Sequence, residues 1–149
     1  PPRLMKPLID AKEAADIQSD RLLHVLLQPS SQPLVEEHLR AARARYAERC
    51  QLLVDVLTQE LGELAHWSLP GGGFFLWVTL VGEVDTAALL PRCAEAGVTY
   101  VPGAEFYPEH RPNPSLRLGF TTLARDDLVS GAERLGRVLR RLLAEARSR

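Results

Sequence analysis

The groups able to do chemistry in this 149-residue chain are few and scattered. Lysine occurs only at Lys6 and Lys12, so an imine-forming amine is one of those two or comes from elsewhere. His24, His38, His66 and His110 show no metal-ligand spacing, and neither do Cys50 and Cys93, so no metal site is expected. Both cysteines sit in helix-like text, which suits buried, reduced thiols in a cytoplasmic chain. Arg117 is different. It stands in the middle of the apolar stretch LRLGF, where a charge is either solvated on an open face or partly buried and holding an acid. A guanidinium grips a carboxylate through two parallel hydrogen bonds, a geometry lysine cannot copy. The residues alone leave both readings open.

The glycines of SLPGGGFFLWVTL (68–80) raise the question of a phosphate loop. Such a loop needs a strand, then glycines, then a helix whose N-terminus faces the anion. Here the glycines precede a strand and no Lys-Ser/Thr pair follows, so the phosphate reading fails on context. A turn that allows positive φ or a close approach is the expectation. Pro102-Gly103 reads likewise as a turn, and AEFYP after it sets Phe106 and Tyr107 near that turn, as packing or as a pocket wall.

Charge excludes several partners. The formal net charge is -1, which gives no global field towards nucleic acid or an anionic membrane. RAARARYAER (40–49) and RVLRRLLAEARSR (137–149) read as amphipathic helices with arginines on the wet side and glutamates interleaved. No apolar run approaches the ~18 residues of a membrane span, and no signal-peptide pattern is seen.

Periodicity supplies the elements that would carry these groups. Leu4, Leu8, Ala11, Ala15, Leu22 and Leu26 form one helical stripe, ended by the turn text QPSSQP (28–33). A second helix, with Ser31 as cap and Pro33 in its first turn, keeps Val35, Leu39, Ala42, Tyr46, Cys50, Leu53, Leu57 and Leu61 on one face until Gly62. At 1.5 Å per residue it is about 40 Å long, a length suited to bridging two bodies. Short strands are expected over 64–69 and 73–80. A helix should run from the cap Asp85 to Gly97, with Pro91 a possible kink, and a strand should follow over 98–101. Leu116, Leu118 and Phe120 alternate with Arg117, Gly119 and Thr121 as a period-two strand. A last helix from about 125 to 146 turns Leu128, Leu135, Leu139 and Leu142 inward. The order from Cys50 is α-β-β-α-β-β-α, which predicts an α+β fold with a mainly antiparallel or mixed sheet covered by helices.

Taken in order, Pro70, Gly72, Gly73, Phe75 and Trp77, then Gly97, Val98, Pro102, Gly103 and Phe106, then Leu116, Arg117, Leu118 and Phe120 form a series. It resembles the C-terminal part of the fold-type-I (class I/II) aminotransferases, which use pyridoxal 5'-phosphate (PLP). YVPGAEFYP and LRLGFTTL are most like the branch containing 2-aminoadipate aminotransferases, and AKEAADIQSDRLLHVLLQ and HLRAARARYAERCQLL also resemble that family's text, so the likeness covers essentially the whole chain. The resemblance implies a C-terminal fragment whose catalytic lysine and cofactor-binding residues lie upstream of Pro1. Neither Lys6 nor Lys12 matches the catalytic lysine. It implies three parts: 1–30 as a helical remnant of a large PLP domain, 31–62 as a bridging helix, and 63–149 as the small C-terminal domain. Arg117 matches the arginine that pairs with the substrate α-carboxylate, and Phe75, Trp77 and Phe106 would lie near the pocket wall. Gly119 replaces a polar residue common in that motif. The implied activity is amino-group transfer between an amino acid and a 2-oxo acid by a homodimer, with the isolated fragment inactive and binding neither PLP, nucleic acid nor membrane. The rival is the PLP- or effector-sensing domain of a winged-helix (GntR/MocR-type) transcriptional regulator.

Overall fold

The computed structural model describes residues 2–15, 32–109 and 111–147. The chain divides into two compact units, Pro1–Arg40 and Ala41–Arg149. Helix α1 (Pro2–Ala15) lies in the first. It contains Pro7, carries exposed Leu4, Met5, Leu8 and Ile9, and pairs Lys6 with Asp10 one turn on at 2.9 Å. The remainder of the expected first helix, with Leu22, His24 and Leu26, lies outside the described residues, as do the cap Ser31 and His110.

Helix α2 (Gln32–Leu61) keeps the expected limits, ending where Gly62 takes φ 50°. From Ala42 onward its predicted apolar face is largely buried, with Leu57 fully so, whereas Val35 and Leu39 are exposed. A short 3-10 turn (Gly62–Leu64) leads to β1 (Ala65–Trp67), and the glycine run leads to β2 (Phe75–Leu80). Of the three consecutive glycines only Gly73, at φ 91°, needs glycine's freedom; an L-residue would be strained there. Helix α3 (Thr86–Glu95) starts at Asp85, whose side chain accepts a hydrogen bond from the Ala87 N–H. Then come β3 (Val101–Pro102), a 3-10 turn (Gly103–Phe106), β4 (Ser115–Gly119) and helix α4 (Arg125–Arg147).

The four strands pair in the order β1-β2-β4-β3, every pair antiparallel. The expected α+β layout is therefore found. Alternation along β2 and β4 sends Leu76, Val78, Leu80, Leu116 and Leu118 into one core with Leu53 and Leu57 of α2, Cys93 of α3, and Leu128, Leu135, Leu139 and Leu142 of α4. Phe75, Trp77, Thr79, Arg117 and Gly119 face the other way. Cys50 and Cys93 are buried and free, as expected.

One strand differs from its sequence reading. The apolar text 98–101 predicts a full strand, but only Val101 and Pro102 pair with β4. The Val98 N–H is already committed, donating to the Cys93 carbonyl at the end of α3, and the Tyr100 side chain is drawn into the interior. The edge strand is thereby cut to a stub ending in a proline, which an edge tolerates.

Helices α2 and α4 come close together at Gly136, where an added Cβ would strike the Glu60 side chain, while Arg140 Nε donates to the Glu60 carbonyl at 2.7 Å. Gly131, one and a half turns earlier, has nothing within 4 Å of the same position. Gly136→Ala should therefore lower unfolding stability by about 1–3 kcal/mol through overpacking. Gly131→Ala should instead raise it by up to about 1 kcal/mol through helix propensity. Urea unfolding of both variants checks the contrast, and equal signs would contradict the packing described.

Candidate carboxylate-binding site

Arg117 sits in the middle of β4, with Trp77 of β2 and Val101 of β3 as its register partners on either side. Its neighbours Leu116 and Leu118 are buried, so alternation forces its side chain onto the sheet face that carries no helix of the core. It is half-buried there, under aromatic cover. Its Cζ lies 4.0 Å from the centroid of the Phe75 ring and 4.8 Å from that of Phe106, within reach of both ring quadrupoles. Trp77 meets Phe106 edge to face at 5.2 Å. The four residues singled out in sequence are thus brought to one place, although Phe106 comes from a separate 3-10 turn.

No acid meets this cation. Among the described residues the Arg117 side chain forms no ion pair or hydrogen bond, and its Nε is buried without a partner. A half-buried guanidinium without an anion is electrostatically incomplete, and what completes it most economically is a planar acid able to accept two N–H bonds. The exposed rings of Phe75 and Phe106, 45% and 43% accessible, would hold such a group in a water-poor setting that strengthens the pair. Gly119 lies opposite Phe75, and a side chain there would rest 3.7 Å from the ring, so the glycine leaves that face of the ring uncovered.

A buried polar network holds these elements in place. Thr86, fully buried at the start of α3, donates from Oγ1 towards the carbonyls of Ser115 (2.6 Å) and Asn113 (3.0 Å), while the Tyr100 hydroxyl donates to the Thr86 carbonyl at 2.7 Å. Asn113 Oδ1 accepts from the Ser115 N–H at 2.8 Å, fixing the entry to β4 two residues before Arg117. Gly103 fits against this point because it has no Cβ, which would lie 2.5 Å from Asn113 Oδ1 and 2.7 Å from the Ser115 carbonyl. The turn carrying Phe106 is therefore anchored to the strand carrying Arg117. Sequence reasoning missed Thr86, Tyr100 and Asn113; only the Asn-Pro dipeptide at 113–114 signals that a turn is built there.

No family model matches the chain. The relatives of highest similarity and the structural neighbours define a class, the PLP-dependent fold-type-I aminotransferases, and the architecture of the chain matches their C-terminal domain. It is 32% identical over 143 residues to the 2-aminoadipate transaminase of Thermus thermophilus, an alignment covering 96% of this chain and 36% of that protein. The crystal structure of LysN, an α-aminoadipate aminotransferase of that organism complexed with N-(5'-phosphopyridoxyl)-L-leucine, superposes with a TM-score of 0.72 at 31% identity, covering 97% of this chain and 37% of the other. An uncharacterised helix-turn-helix transcriptional regulator of Bacillus subtilis is 29% identical over 144 residues, 96% of this chain and 29% of its own length. The chain thus spans about a third of the relatives it matches. Among the described residues no helix is long and apolar enough to cross a membrane, and no cluster of metal-ligating side chains occurs.

Burial makes the network sensitive to alkali. It raises the Cys50 and Cys93 thiols above their ordinary 9.0, in Cys93 against a hydrogen bond to Tyr100 and the nearby Arg92 charge. Burial first, then Cys93 and the Asp85 charge, raise the Tyr100 phenol above 10.0. All three hold their protons more tightly folded than unfolded, so the stability they contribute is complete below the unfolded pKa values and is lost as pH rises beyond them. The urea midpoint should stay level from neutral pH and fall above about pH 9, with a shallower fall in Tyr100→Phe. An identical alkaline slope in that variant would exclude the phenol as a source.

Proposed function

We propose that this chain is the C-terminal part of a PLP-dependent aminotransferase, transferring an amino group between an L-amino acid and a 2-oxo acid. Arg117 binds the substrate α-carboxylate. The observation that carries this reading is the unpaired guanidinium, held between Phe75 and Phe106 with its Nε buried and unsatisfied. Both substrates of such a reaction carry a carboxylate next to the reacting carbon, so one arginine serves both half-reactions. Two parallel N–H···O bonds fix the plane of that carboxylate and with it the direction of the adjacent carbon, a positioning contribution. Phe75, Trp77 and Phe106 form the pocket wall and keep water from the ion pair.

The residues present do not fit PLP itself. The unit that contains Arg117 has no lysine, since Lys6 and Lys12 both belong to the other unit, on α1. The glycines at 71–73 open a strand and not a helix, so they make no phosphate cradle. On this reading the cofactor is held by polypeptide outside this chain, and the isolated chain is inactive. The division 1–30, 31–62 and 63–149 then separates the end of a cofactor domain, a bridging helix and a substrate-clamping domain. A cytoplasmic homodimer without nucleic-acid contacts completes the proposal. The two buried thiols suit a reducing compartment.

The similarity to the Bacillus regulator supports a second reading, in which the same arginine binds an effector amino acid in a sensor domain. Kinetics of the full-length protein separate the two. Arg117→Ala should raise KM for both the amino acid and the oxo acid and lower kcat/KM about a hundredfold, with Arg117→Lys recovering little of it. Loss of stability with unchanged kinetics would return Arg117 to an ordinary surface residue. A full-length protein without turnover, whose DNA affinity responds to an amino acid, would favour the regulator.

A further inference from the structure

A concave surface lies on the helical side of the sheet, along the edge where β3 stops short. A groove of about 400 Å³ opens between the 97–99 segment, the end of β4 and the first half of α4. Its volume falls within the ~300–1,000 Å³ common for ligand pockets. Leu53, Leu118, Leu128 and Leu135, all buried in the core, supply an apolar floor.

The polar rim is organised by one helix. Asp127, Ser130 and Arg134 stand at i, i+3 and i+7 on α4 and line the groove on a single stripe. Among the described residues neither the Asp127 carboxylate nor the Arg134 guanidinium has an ion-pair partner; Arg134 makes only a long contact, Nη1 to the Ala96 carbonyl at 3.5 Å. The guanidinium is able to lie there because Gly97 has no Cβ, which would come within 2.9 Å of Nη1. Asp127 and Arg134 thus put one negative and one positive group on the same rim, their backbones about 10 Å apart along the axis.

Two further observations concern the space itself. The Phe120 N–H donates to the Phe74 carbonyl, so alternation along β4 turns the main-chain N–H and C=O of Gly119 towards β3. The β3 ladder has ended at Val101, and among the described residues Gly119 has no hydrogen-bond partner on that edge. Gly131, at the groove wall, is a mid-helix glycine that no close approach requires, unlike Gly136. What its missing side chain provides is room.

We propose that this groove binds an aliphatic α-amino acid, with its carboxylate on Arg134, its ammonium group on Asp127 and its side chain on the leucine floor. The site stands independently of the role given to Arg117. It is tested with the 149-residue chain labelled with 15N and titrated with L-leucine, 4-methylpentanoate and 3-methylbutylamine. L-Leucine should shift the amides of Gly119, Gly131 and Leu135 saturably with Kd on the order of 1 mM, the range for so small a ligand. The two single-charge analogues should bind about tenfold more weakly, as should L-leucine to Arg134→Gln or Asp127→Asn. Gly131→Leu should close the groove, whereas Arg117→Ala should leave the shifts of Gly131 and Leu135 unchanged. Absence of saturable shifts at tens of millimolar (~20–50 mM) would overturn the proposal. So would equal binding of all three probes, or shifts confined to the sheet face around Arg117 and abolished in Arg117→Ala.

Discussion

Everything described here depends on the two-residue alternation of a single central strand. In β4 the same backbone geometry that seals Leu116 and Leu118 into the core obliges Arg117 to leave it. A slip of one residue would bury a charge and expose two leucines, so the register is held by the whole hydrophobic core. The position of the cation is thus a by-product of packing. The rigidity of the sheet is inherited by the site without any dedicated scaffold.

What surrounds the cation decides how it behaves. Ring quadrupoles on two sides compensate part of the lost hydration while leaving the donors of the guanidinium unspent. A carboxylate from the protein would have stabilised the arginine more strongly and closed the site to anything else. The arrangement is one in which a charge is tolerated and still available, and its tolerance comes from Phe75 and Phe106, which arrive from different parts of the chain.

Much of this was legible in the sequence, for identifiable reasons. Alternation at 116–120, the leucines of the last helix, and the Asp85 and Gly97 punctuation are local signals, and local signals survive without an alignment. The aromatic cluster could be named only through the family likeness, because ring positions around Arg117 depend on register between strands distant in sequence. The reading failed at 98–101, where apolar content predicts a strand but a hydrogen bond closing the preceding helix takes the Val98 N–H away. Thr86 and Tyr100 were invisible for a related reason: their partners lie 14 to 29 residues away, and nothing in their immediate surroundings marks them. The gap beside the shortened strand is the part of the surface that only coordinates reveal.

The crowding at Gly103 carries a lesson about how such a chain can diverge. A Cβ on Gly103 would strike both the Asn113 side-chain oxygen and the Ser115 carbonyl, and Thr86 donates to the main-chain carbonyls of Asn113 and Ser115 beside them. Drift at this corner would have to proceed by compensated exchanges, with strongly non-additive effects between the positions. The rings of Phe75, Trp77 and Phe106 are tied to one another and to Arg117 by stacking, not by hydrogen bonds, so their exchanges are coupled only through ring contacts and the cation they share. Relatives would then be expected to share a nearly frozen corner beside a lining that varies as a set, so that new preferences arise without refashioning the frame.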